Sequence, residues 1–129
     1  QYEVSAFSLP NQQSVHNLNY WQFGDYIGIG AGAHGKITHA ASQQILRQWQ
    51  TRQPKDYLAK KSDYIAGSRT LTQSELPLEF MMNALRLTGG FDSSLFEART
   101  GLPLVSVQKI LNQAQEKGLL AFKDVQTAH

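Results

Sequence analysis

Residues 25–33, "DYIGIGAGA", are the stretch that most narrows what this 129-residue chain can become. The run is short, apolar almost throughout, and after Ile29 carries no side chain larger than a methyl group. It therefore reads as a strand buried on both faces, as in the parallel sheets of α/β folds, and its small residues would let another backbone or a flat ligand come close. Residues 2–7, "YEVSAF", rich in Tyr, Val and Phe, are expected to form a companion strand. The intervening "LPNQQSVHNLN" reads as a loop.

The same glycines spell two nucleotide-binding motifs, and both fail on context. Gly30, Gly32 and Gly35 give G-x-G-x-x-G, but a dinucleotide fingerprint needs a helix opening at its last glycine and an acidic residue at the end of a second strand about 20 positions on. Asp56 has nearly that spacing, yet "TRQPKDYLA" places it beside a helix start. "GAGAHGK" approaches a P-loop, but Ile37 stands where a magnesium-holding hydroxyl is required, and Thr38 comes one residue late. The glycines must serve close approach without cradling phosphate.

Past Gly35, "KITHAASQQILRQWQ" fits either a helix or two short strands around "AASQQ", and the hairpin is preferred. Pro54 suits the first position of a short helix through Lys60. Ser74 can cap a helix with the apolar stripe Phe80, Met81, Ala84, Leu85 and Leu87, stopped by Gly89 and Gly90. Asp92 or Ser93 opens a helix carrying Leu95 and Phe96 that ends at Thr100 and Gly101. A third helix is expected to bury Val107, Ile110, Leu111 and Ala114, with Gly118 as its left-handed cap and a strand beginning over 119–122. That order is winged-helix-like. A DNA reader, however, would turn Arg, Lys or Asn from the third helix toward the groove. Here the helix offers Ser106, Gln108, Lys109, Asn112, Gln113 and Glu116, and residues 70–129 hold five basic against six acidic side chains, so nucleic-acid binding is the lesser alternative.

Composition removes other classes. Without cysteine there is no disulfide, no thiolate zinc site, no cysteine-ligated iron–sulfur cluster and no cysteine nucleophile within these residues. No apolar run approaches the roughly 18 residues of a membrane span, and cytoplasm is the expected compartment. The net charge of +2 is uneven: residues 36–69 hold seven Lys and Arg against Asp56 and Asp63, or +5, a segment open to an anionic ligand or to plain solvation. The chain opens at Gln1 directly into "YEVSAF", which suggests a piece of something longer.

Between the two expected strands, "HNLNYW" gathers His16, Asn17, Tyr20 and Trp21 within six residues. An imidazole can ligate haem iron, a ring pair can stack on a flat macrocycle and an amide can orient either. His34, inside the glycine turn, is better placed for a ligand than His39.

Taken in order, "YEVSAFS", "HNLNYW" and "GDYIGIGAGAHGKI" resemble the oxygen-independent coproporphyrinogen III oxidase-like radical SAM family, most closely its haem chaperone branch. The likeness continues through "LRQWQTRQPKDYL", "LEFMMNALRL" and "EKGLL". The resemblance implies an α/β parent, seen as α+β within these residues alone. Residues 1–53 would be the last strands of a partial radical SAM barrel with an adjoining hairpin, 54–73 a connecting helix and linker, and 74–129 a winged-helix-like C-terminal domain. It implies a four-iron four-sulfur cluster and S-adenosylmethionine in the parent barrel, with Gly30, Gly32, Ala33 and His34 flanking S-adenosylmethionine. It also implies haem as ligand, with His16 as its iron contact and Asn17, Tyr20 and Trp21 as companions. The cluster's cysteine motif is missing here, so these residues alone are expected to catalyse nothing. The N-terminal radical SAM domain of the same parent chain is the expected partner, and the exposed sheet edges of such a piece would favour self-association.

Overall fold

The computed structural model describes residues 1–122. Five helices, α1 (Val15–Trp21), α2 (Pro54–Ala59), α3 (Leu76–Ala84), α4 (Ser93–Thr100) and α5 (Val105–Glu116), accompany three strands, β1 (His34–His39), β2 (Gln44–Gln50) and β3 (Ile65–Thr70). The strands form one antiparallel sheet in the order β1–β2–β3.

The expected hairpin over 36–50 forms, with Lys36 opposite Arg47 and His34 opposite Trp49. The two expected flanking strands do not. Residues 2–7 fold back on themselves, with Tyr2 N–H and Ala6 N–H bonded to Ala6 and Glu3 carbonyls, and meet Leu87 through a single bridge. Residues 25–33 form no strand: Tyr26 exchanges both backbone bonds with Lys36 as an isolated bridge, and beyond it the segment meets the sheet through the Asp25 carboxylate on Thr38 and Lys36 and through the Gly28 and Ala33 carbonyls, which accept from Gln50. Ile27 and Ile29 stand 79% and 86% exposed. A strand covered on both faces needs neighbours and layers on each side, and nothing within the described residues supplies them. The described strands are all antiparallel, and no partial barrel is seen.

"VHNLNYW" is likewise helix rather than loop. Ser14 caps it by accepting from Asn17 N–H. Phe23 then leaves the helix with φ 61° and drives its ring into the core, 5.8 Å from Phe80.

The helical half is built on one ring. Phe80, fully buried, meets Phe23, Phe91 and Phe96 edge-on at 5.2 to 5.8 Å, the arrangement that aromatic quadrupoles favour. Ile45, Leu71, Leu76, Ala84, Val107 and Leu111 complete this core. Local signals set α4: Asp92 accepts from Ser94 N–H, and Gly101 (φ 71°) closes the C-terminus. Helix α3 starts later than Ser74 implied. Its cap residue is Glu75, with Pro77 in the first turn, and the Ser74 hydroxyl pairs with Thr72 instead. Leu85 and Ile110 point to solvent, because each helix meets the core with a single stripe and no further layer covers the other side. Residues 119–122 are not a strand, and the rest of that expected element lies outside the described residues.

Candidate functional site

Along the sheet, side chains alternate between faces, and the register places them in rows. One row carries Lys36, Arg47 and Arg69 directly opposite one another, with Tyr26 bridged to Lys36. Like charges so arranged repel, and each cation has its own carboxylate from outside the sheet: Asp25, Glu79 of α3, and Glu75. The next row holds His34, Trp49 and Gly67. A side chain at Gly67 would overlap the Trp49 indole, so the ring lies down over β3.

Lys36 anchors this arrangement. Its ammonium, 1% exposed, donates to the Phe23 carbonyl at 2.8 Å and to Asp25 at 3.4 Å, and stands 3.9 Å over the Phe23 ring. Burial lowers its pKa to about 8, the Asp25 charge opposing that shift only in part. Burial pushes the Asp25 carboxyl up, but the Thr38 amide and hydroxyl, together with Lys36, outweigh it and leave the pKa lowered. Tyr26 links the row to the motif helix, its ring 5.4 Å from Tyr20 and its hydroxyl accepting from Arg47. Burial raises its pKa.

On α1, His16 and Asn17 are exposed, while Tyr20 and Trp21 are half-buried and packed edge to face at 4.7 Å. The Trp21 ring is not bare: the Arg86 guanidinium covers it at 4.6 Å. Arg86 is held in turn by the buried carboxylate of Glu3 at 2.6 Å. Burial would raise the pKa of Glu3, but bonds from Ser5 and Arg86 win and lower it. Arg86 and Glu3 lie 83 positions apart, and only folding could disclose that they frame the motif. Trp21 Nε1 is buried with no hydrogen-bond partner among the described residues.

The glycine turn borders an open hollow of about 1000 Å³ at the sheet's end, walled in part by Gly32, His34, Trp49 and Arg52. Gly30 (φ 102°) and Gly32 (φ 70°) take conformations that disfavour any side chain, and nothing stands within 4 Å of a Cβ built on Gly30. The structure thus brings Gly32 and His34 to one hollow and keeps His16, Asn17, Tyr20 and Trp21 together on one short helix.

These residues can be tested against the groups expected of them. A lone exposed imidazole such as His16 suffices as an axial ligand to haem iron. Among the described residues no group of three His, Cys, Asp or Glu could hold a bare ion. With no cysteine in the chain, an iron–sulfur cluster has no thiolate here. The turn and its hollow leave room for a nucleoside-sized molecule.

Comparison with known proteins shows what the chain is similar to. Residues 71–126 match the HemN C-terminal domain family. The chain is 42% identical over 120 residues to "Heme chaperone HemW" of Escherichia coli (strain K12), covering 93% of this chain and 31% of that protein. The chain is HemW-like. It is 32% identical to "Heme chaperone HemW" of Bacillus subtilis (strain 168), again over 93% of this chain and 31% of that protein. It is 33% identical to "Radical S-adenosyl methionine domain-containing protein 1, mitochondrial" of Bos taurus, over 93% of this chain and 29% of that protein. The HemW-like chain thus spans about a third of the length of the curated relatives it matches. No solved structure matches it. These matches support a fragment related to the haem-related radical SAM proteins, and the nucleic-acid alternative is not favoured. No described helix is long and apolar enough to cross a membrane.

Proposed function

We propose that this HemW-like chain supplies the haem-contacting and cofactor-flanking part of a radical SAM haem chaperone. The observation that carries the reading is the exposed His16 imidazole on a helix whose rings, Tyr20 and Trp21, are already packed in place by Tyr26 and Arg86. In this reading His16 contacts the iron, and Asn17, one turn before Trp21, orients a ring or carboxylate beside it. Gly30, Gly32, Ala33 and His34 flank S-adenosylmethionine. The cluster belongs to a radical SAM domain in the N-terminal part of the parent chain, and the chain's residues are organised as 1–53, 54–73 and 74–129.

The two segments that are not strands here, 2–7 and 25–33, become the last barrel strands once that domain lies beside them. The exposure of Ile27 and Ile29 supports this reading, since a buried setting would remove about 25 cal/mol per Å² of apolar surface from water. The same exposure favours self-association of these residues by themselves. The compartment that suits a haem carrier of this kind is the cytoplasm.

Haem titration of the full-length protein tests the reading. His16→Ala is expected to shift the Soret band and weaken binding about tenfold or more, as loss of an axial ligand should. An unchanged band and affinity would remove His16 from the role.

A further inference from the structure

Of the cations in the sheet's face, Lys36, Arg47 and Arg69 each have a carboxylate partner. Arg52, just past the end of β2, is different: among the described residues no carboxylate lies within ion-pair distance of it, and it is exposed. It lines the hollow together with Gly32, His34, Trp49, Gln50 and Ala66, none of which is acidic. Gln50 sends its amide N–H to the Gly28 carbonyl at 3.2 Å, and its Oε1 is buried with no partner among the described residues. The Trp49 indole, laid flat over Gly67, is 37% exposed. One hollow therefore offers an uncompensated guanidinium, a flat aromatic face and a spare buried acceptor.

We infer that this hollow is a binding site for a planar ring that bears a carboxylate, with the carboxylate on Arg52, the ring against Trp49 and a ligand N–H or O–H donated to Gln50 Oε1. Each contact follows from chemistry. A guanidinium fork matches a carboxylate in two parallel bonds. An indole face takes a flat ring with an offset, and an unpaired buried oxygen gains most from a ligand donor. Gly32 is part of the design, because its backbone at φ 70° strains any side chain there, and it lies close against the Arg52 stem, 3.7 Å from where a Cβ would stand. The hollow opens on the sheet face that also carries Tyr26 and, through it, Tyr20 of the motif helix.

The inference rests on the haem chaperone reading for its choice of probes. Two molecules of that setting share the chemistry: haem, through its propionates, and S-adenosylmethionine, through its amino-acid carboxylate and adenine. Full-length protein with its cluster reconstituted is titrated in two arms, one with haem and haem dimethyl ester, the other with S-adenosylmethionine and its decarboxylated analogue. In one arm Arg52→Gln should weaken the carboxylate form about tenfold, the scale of one charge-assisted contact, and leave the carboxylate-free form unchanged. Trp49→Leu should weaken both forms in that arm, and Lys55→Gln, which removes the same charge three positions on, should change neither. Wild-type binding that is indifferent to Arg52→Gln, or an equal loss for both forms, overturns the inference and leaves the wider reading standing. If the wild type binds neither haem nor S-adenosylmethionine, both fall.

Discussion

The helical half and the first third of the chain are made of similar amounts of apolar residue and use them in opposite ways. In the helical half Phe80 and Phe96 are fully buried, and Phe91 and Phe96 close on Phe80 edge-on. In the first third Val4, Phe7, Leu9, Ile27 and Ile29 are all more than half exposed, and only Phe23 reaches the core. The helices find their partners within fifty residues of sequence, so local periodicity and caps suffice to assemble them. The N-terminal segments carry apolar side chains that no described element covers. The difference teaches that residues 71–120 supply most of one core, closed by Phe23 and Ile45 from outside it, and that the candidate site sits where this support meets a surface with apolar side chains still uncovered.

The largest effect should come from the ring at the centre of the support. Phe80→Ala leaves a cavity among Phe23, Phe91 and Phe96 and should cost about 3–5 kcal/mol in urea unfolding. A loss below about 1 kcal/mol would show that the helical half is not the more tightly built region.

Lys36 holds Phe23, the ring from the first third that enters the core, and its titration sharpens the comparison. The folded pKa, about 8, lies below the ordinary 10.5, so between these values the unfolded chain binds more protons and stability rises with pH. Burying the ammonium is a cost present in full below pH 8 and relieved as pH climbs toward 10.5. At about 1.4 kcal/mol per unit, the gain is on the order of 3–4 kcal/mol. Subtracting the curve for Lys36→Met, which has no such titration, should isolate that rise; parallel curves would mean that Lys36 is solvated in the folded protein.

The smallest effect on stability belongs to the uncovered surface. Ile29→Ser should change unfolding free energy by no more than about 0.5 kcal/mol, because Ile29 is 86% exposed. The same change should reduce self-association of the 129 residues in sedimentation. A stability loss like that of Phe80→Ala would place Ile29 in a core that these residues build for themselves.

Much of the helical half was legible in advance. The Asp92 cap, the Gly101 and Gly118 stops, Pro54 opening α2 and the stripe of Phe80 and Ala84 are local features, and all stand where the sequence pattern puts them. The hairpin was legible for the same reason, since a turn-like segment between two alternating runs needs no distant partner. The motif residues could be named from spacing, but not their surroundings: Arg86 over Trp21, Glu3 beneath Arg86, and Tyr26 against Tyr20 depend on contacts across as many as 83 positions. The signal for Arg52 was weaker still. It is one of seven cations in a basic stretch, and only the folded structure distinguishes it, by placing it on the hollow while Lys36, Arg47 and Arg69 take carboxylates from outside the sheet.

Sequence alone therefore determined the likeness to HemW, the Asp92 cap and Gly101 stop of α4, the Gly118 stop of α5 and the opening of α2 at Pro54. Tertiary structure decided that "YEVSAF" and "DYIGIGAGA" are not strands in this chain, that "HNLNYW" rides a helix, and which charged groups are compensated. The physical reason is reach. A cap or a turn is satisfied by atoms a few bonds away, whereas a buried strand, a stacked ring and a paired charge take their energy from neighbours that only the folded chain brings near.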